Sequence, residues 1–155
     1  MTSIDSFLDS VKAVLIAATT GVAELSDTNT TVFHHGTSDL DEDIKKGIAK
    51  CAGVHCMIFD MGGDSDPADA NSPVILAEVT VELYVDPTKR NRTKTPTLRL
   101  AGAIRDEIMT CLHLNATLQA TDHYHMETRV MGYRPLADPD YAAFAIRLQR
   151  SIYIG

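Results

Sequence analysis

The chain has 155 residues, which is the size of one ordinary domain. Hydrophobic residues make up 45% and charged residues 23%, a globular composition that argues against a disordered or fibrous protein. The net charge of −7 at pH 7 disfavours sequence-specific nucleic-acid binding, because an acidic surface repels the phosphate backbone.

The N-terminus lacks the features of a membrane or export signal. Its longest apolar run is far shorter than the roughly 20 residues that span a bilayer. No basic residue precedes Lys12, whereas a secretory signal begins with positive charge. The three cysteines, Cys51, Cys56 and Cys111, contain no CxxC pair, which is typical of free or buried thiols in a reducing compartment. We therefore expect a cytoplasmic protein without a transmembrane helix.

The first half of the chain predicts two helices and two strands. Apolar residues spaced by three and four predict an amphipathic helix over residues 4–18, with Thr2 or Ser3 as N-cap and Gly21 as the stop. A short strand at residues 31–33 and a brief helix at residues 39–50 follow. An apolar run at residues 54–59 predicts a buried strand that ends at a turn containing Gly62 and Gly63.

The clearest strand runs from Val74 to Val85, where apolar residues alternate with Glu78, Thr80, Glu82 and Tyr84. One face should meet the core and the other should meet water or a partner. The polar segment that follows predicts a loop or arm. It carries the basic cluster of the chain, Lys89, Arg90, Arg92 and Lys94.

The C-terminal half predicts a helix and a hairpin. Thr97 caps a helix over residues 97–112, and strands at 124–133 and 141–154 flank a turn at 134–140. The last strand alternates regularly except at Arg150, where we expect a bulge. The order of elements predicts an α+β fold, with a mostly antiparallel sheet and two main helices packed on one face, in a single domain of residues 1–155.

Two groups of residues in the sequence have side chains that could bind a metal. His123 and His125 flank Tyr124 and would point to the same side of a strand, with Asp122 beside them, so they could hold a metal with one further ligand. The acidic loop with Asp60 and Asp64 fails the EF-hand pattern, because glycine is missing from the sixth position in either register. A metal-binding module or metal-dependent enzyme built on His123, His125 and Asp122 is the alternative hypothesis.

Motifs for other enzyme classes are missing from the sequence. There is no GxGxxG or GxxxxGK[ST] loop for nucleotides, no GxSxG elbow, and no cysteine in a recognisable catalytic context. We therefore predict a non-enzymatic protein without a cofactor.

The order of elements resembles the tail terminator, or tail completion, proteins of long-tailed bacteriophages, of the lambda tail terminator type. The resemblance covers the N-terminal helix, the strand Val74 to Val85 with its polar loop, and the helix at residues 97–112. It also covers the aspartate-rich ending YRPLADPDY at residues 133–141, which leads into FAIRL at 144–148. Related head-to-tail joining proteins share this ending. Residues 26–50 and 60–72 have no match in the family pattern.

The resemblance implies a structural protein of a phage or prophage tail. It would assemble as a homo-hexameric ring on the tail-tube protein, stop tube polymerisation and present a surface to the head-connector protein, with DNA passing through the ring. Assembly would take place in the bacterial cytoplasm, and the final location would be the virion tail. We expect the partner contacts at Lys89, Arg90, Arg92 and Lys94 in the arm and at Asp138 and Asp140 in the turn.

Overall fold

Among the residues that the structure, a computed structural model, describes, two helices and five strands have defined bounds. The structure describes residues 3–33, 42, 44–45, 48, 53–65, 74–86, 101–114 and 128–153. In chain order the elements are α1 (Ser3–Ile16), β1 (Thr30–Val32), β2 (Val54–Ser65), β3 (Val74–Val85), α2 (Ala101–Leu114), β4 (Thr128–Leu136) and β5 (Ala142–Tyr153). No helix in this described part of the chain is long and apolar enough to cross a membrane.

The five strands form one sheet in the order β1-β2-β3-β5-β4. Neighbouring strands are antiparallel except for β1 and β2, which are parallel. The longest ladder joins β3 to β5 without interruption, from the pair Val74 and Tyr153 to the pair Val85 and Ala142. The predicted α+β class and the mostly antiparallel sheet are confirmed.

Both helices pack on the same face of the sheet. On β3 the residues at alternate positions from 77 to 85 are buried in one cluster with apolar residues of α1 and α2. Those helix residues recur at intervals of three and four: Phe7, Val11, Val14, Ile104, Ile108 and Leu112. The predicted packing of the two main helices on one face is confirmed. We refer to this side of the sheet as the helix face.

The opposite face of the sheet is partly covered by the chain itself. Ile44 and Ile48, which are helical, pack with Met57, Tyr84 and Ala143 in a second buried cluster. The sequence predicted that the side of β3 carrying Tyr84 would meet water or a partner. That prediction is wrong at this end of the strand, because Tyr84 is only 7% exposed.

Gly21 lies in the turn that follows α1 and allows a close backbone approach there. Its N–H donates to the carbonyl oxygen of Ala17 at 3.0 Å, and the N–H of Val22 donates to that of Leu15 at 2.9 Å. A Cβ at Gly21 would lie 2.5 Å from both of these carbonyl oxygens. A side chain at position 21 would therefore displace the backbone. Gly21 is not the stop that the sequence predicted, because α1 already ends at Ile16.

Two sequence predictions about strand irregularities are wrong. The strand β2 was expected to end before Gly62 and Gly63, but it continues to Ser65 through a bulge between Asp60 and Gly63. Gly62 has a φ of 92°, which accommodates that bulge. The bulge expected in the last strand near Arg150 lies instead in β4, between Val130 and Gly132.

The hairpin between β4 and β5 also differs from its prediction. β4 runs three residues past the expected end at Tyr133, reaching Leu136, and the bend that follows precedes Ala142. Arg150 keeps its place in the ladder, with its guanidinium carbon 5.5 Å from the centre of the Phe7 ring. An aromatic ring under the cation explains how this charge is tolerated on the helix face. The predicted cap Thr97 and the predicted strand residues 124–127 lie outside the described residues.

Candidate interaction surfaces

The aspartate-rich turn is the part of the predicted interaction surface that the structure describes. Outside the described residues lie Lys89, Arg90, Arg92, Lys94, Asp122, His123 and His125. The placement of the basic arm and of the alternative metal site thus remains a prediction. Asp138 and Asp140 occupy the bend between β4 and β5.

Asp138 holds the turn together. Its Oδ1 accepts hydrogen bonds from the backbone N–H groups of Asp140 at 2.9 Å and Tyr141 at 3.0 Å. This is the local bonding by which aspartate favours turns. Asp140 is exposed, and its carboxylate is free to meet a partner as far as the described contacts show. The two predicted contact residues therefore differ, since one shapes the turn and the other presents charge.

The turn carries a concentration of negative charge. Burial raises the pKa of the Tyr141 hydroxyl, and the nearby carboxylates of Asp140, Asp86 and Asp138 raise it further. Lys45 contributes a positive charge to the small pocket at this turn, which also includes Ile44 and Pro139. The electrostatic potential at the turn is negative, so a partner that binds there is expected to supply basic groups.

Three arginines share the sheet face opposite the helices: Arg129 and Arg134 on β4 and Arg147 on β5. Arg129 is paired with Gln149, and Arg134 with Ala145, so both share a face with Arg147 at the alternate position of β5. The Nε of Arg147 donates to Oε1 of Glu78 at 2.8 Å. We call Arg129, Arg134 and Arg147 the arginine face.

Sequence reasoning missed the arginine face. The bulge in β4 shifts the alternation by one residue, so that Arg129 and Arg134 reach the same side although five positions separate them. Gly132 inside the strand pattern was the available signal, because an isolated glycine in a strand often marks a bulge.

The exposed large apolar side chains lie at the two sides of the sheet. Within the described ranges, three such residues are exposed: Met61 by 59%, Met131 by 47% and Tyr133 by 45%. Met131 and Tyr133 belong to β4, which is an outermost strand, and Met61 belongs to the second half of β2. Exposed apolar groups at a strand edge are typical of a surface that meets another chain.

Tyr133 is held in place from the helix side. The guanidinium carbon of Arg105 on α2 lies 4.2 Å from the centre of the Tyr133 ring and 4.8 Å from that of Phe144. The two rings meet edge to face with centroids 6.1 Å apart. Asp106 pairs with the same guanidinium at 2.7 Å. These contacts give the exposed side of β4 a rigid support.

The cysteines within the described ranges are poor nucleophiles. Burial, followed by the charge of Glu82, raises the pKa of the Cys56 thiol to about 12. Burial also raises the pKa of Cys111, whose Sγ lies 3.5 Å from the carbonyl oxygen of Thr20. A thiol reacts as its thiolate, so both side chains act here as small apolar groups.

Among the described residues, no group of three or more His, Cys, Asp or Glu side chains is placed to hold a metal ion. The proposed site at His123, His125 and Asp122 lies outside those residues.

Comparison with known proteins gives no family assignment. The sequence matches no protein-family model, and no curated protein is significantly similar to it.

Proposed function

We propose that this chain is a structural protein of a phage or prophage tail. In this proposal it caps the tail tube as a homo-hexameric ring and provides the joining surface for the head-connector protein. The protein is made in the bacterial cytoplasm and ends in the tail of the virion. The order of elements and the aspartate-rich turn at residues 137–141 are the sequence features behind the proposal.

The observation that carries the proposal is the position of the exposed apolar side chains. Met131 and Tyr133 lie on the outermost strand β4, and Met61 lies in the second half of β2, beyond the residues that pair with β1. The sheet that carries them is backed by a continuous core with both helices. A protein that works by contact needs a rigid scaffold with apolar groups at its borders, and a closed ring needs complementary borders on each copy.

Tube capping is the direct test. The purified protein is mixed with the tail-tube protein of the same phage, and the products are imaged by negative stain. We expect rings at tube ends and a stop in tube growth. Tubes that grow without limit and carry no bound protein would refute the proposal, whereas a monomeric free form would not, since some rings assemble only on their partner.

The basic arm is tested in the same assay. Replacing Lys89, Arg90, Arg92 and Lys94 by alanine should abolish or weaken capping without changing the thermal unfolding curve. The matched control exchanges Lys and Arg at these four positions and so keeps every charge. Normal capping by the alanine variant would show that the arm is a solvated loop.

A further inference from the structure

The sheet has two open borders that face away from each other. β4 is the last strand on one side, and none of the described residues pairs with its outer edge. On the other side β1 covers β2 only opposite residues 56–58, and the N–H of Phe33 adds a bond to the carbonyl oxygen of Ile58. Beyond that point the outer edge of residues 60–65 has no backbone partner in the described part of the chain. Unpaired N–H and C=O groups at such an edge are a template for another strand.

The strand directions make the two borders compatible. β2, β3, β5 and β4 lie side by side, and each runs antiparallel to the one before it. β4 therefore runs opposite to β2. When a second copy lies beside the first in the same orientation, its β4 is antiparallel to residues 60–65, which is the arrangement that a continuous antiparallel sheet requires.

The side chains at the two borders are complementary. Asp64 is paired with Leu76, which in turn is paired with Ser151. On β5, Ser151 lies on the same face as the partners of Arg129 and Arg134, so Asp64 shares a face with both arginines. In a continuous sheet the Asp64 carboxylate of one copy could thus stand opposite one of these arginines of the next copy on a shared face. The exposed Met61 of one border would meet Met131 and Tyr133 of the other, which covers apolar surface on both.

We infer that copies of this chain join head to tail, with β4 of one copy pairing along residues 60–65 of the next. The occupant of each border is therefore a second copy of the chain. This inference rests on the proposed function, because repeated contacts of this type close into a ring when the rotation between copies is suitable. Pairing of β4 with β4 is disfavoured, since it would bring the arginines of both copies together.

Charge reversal tests the contact, with sedimentation velocity as the readout for the isolated protein over a range of concentrations. Arg129→Glu/Arg134→Glu alters only the β4 border, and Asp64→Lys alters only the β2 border. Each variant should associate about tenfold more weakly or worse than the wild type, because like charges would face each other. Two controls should associate normally. Arg129→Lys/Arg134→Lys keeps the positive charge of β4, and Asp9→Lys changes the net charge by the same amount as Asp64→Lys but at an exposed position of α1.

Mixing the two reversed variants distinguishes this arrangement from others. In an equal mixture the two variants can alternate, and each contact between unlike variants is either the original pair or the fully reversed pair, so association should return. A contact of β4 with β4 would instead leave Asp64→Lys fully associated on its own, because that substitution does not touch the β4 border. Circular dichroism and thermal unfolding confirm that each variant is folded, so that loss of association is not loss of structure.

The remaining outcomes overturn the inference and are separable from failure of the proposed function. If the wild type associates and the reversed variants associate equally well, the copies meet at another surface. The ring proposal survives in that case. A wild type that stays monomeric at every concentration shows that these borders do not drive self-association. In both cases the tube-capping assay independently decides the proposed function.

Discussion

Replacement of Tyr133 by alanine should destabilise the fold although the side chain is 45% exposed. The variant loses the edge-to-face contact with Phe144, worth about 0.5–1.5 kcal/mol, and the stacking of Arg105, worth about 0.5–1 kcal/mol. The Arg105 side chain is only 18% exposed, so solvent weakens the second contact little. The free energy of unfolding should therefore fall by roughly 1–2.5 kcal/mol.

Urea denaturation at low protein concentration measures this loss without interference from self-association. Met131→Ala is the matched control, since Met131 lies on the same strand and is 47% exposed, and its effect should stay within about 0.5 kcal/mol. A double-mutant cycle with Arg105→Ala isolates the cation–ring contact, for which we expect a coupling of about 0.5–1 kcal/mol. A coupling indistinguishable from zero, or equal losses for Tyr133→Ala and Met131→Ala, would refute the reasoning.

Three further predictions concern the core and the turns. Cys56 should resist thiol reagents at pH 8 until the protein unfolds, because burial raises its pKa to about 12; rapid labelling of the native protein would contradict this. Since the unfolded thiol ionises at its lower ordinary pKa, stability should decline above that value, and Cys56→Ala should lessen the decline seen in alkaline melts. Gly21→Ala should cost about 1–3 kcal/mol in urea unfolding, because its Cβ would lie 2.5 Å from backbone oxygens; an unchanged midpoint would disprove the close approach. Asp138→Ala should cost about 1–2 kcal/mol and Asp140→Ala less than about 0.5 kcal/mol, since among the described residues it is Asp138 whose carboxylate accepts bonds from the turn backbone; the reverse order in thermal unfolding would show that the turn is held differently.

Local periodicity in the sequence was sufficient to predict the regular elements. The spacing of apolar residues in α1 repeats over three turns or more, and the alternation in β3 continues along a strand of 12 residues. Such patterns depend only on helix and strand geometry. The prediction of β3 has the bounds that the structure shows, Val74–Val85. The α+β class followed from the order of these elements along the chain.

The irregular positions were not predictable in the same way. A bulge depends on which residue stands opposite on the neighbouring strand, and the sequence of one strand does not contain that information. For this reason the bulge was expected in β5 at Arg150 but lies in β4 at Met131 and Gly132. The burial of Tyr84 likewise depends on Ile44 and Ile48, which pack on it from a distant part of the chain.

The sequence by itself determined the helices, the long strands and the overall acidic charge of this protein, because composition and periodicity are properties of the chain alone. Only the tertiary structure decided that, among the described residues, β4 and the second half of β2 have no strand paired to their outer edges. It also brought Arg129 and Arg134 onto the face that carries Asp64. Strand order and register are set by contacts between residues far apart in sequence. Those contacts form only when the strands pair and the sheet packs on its core.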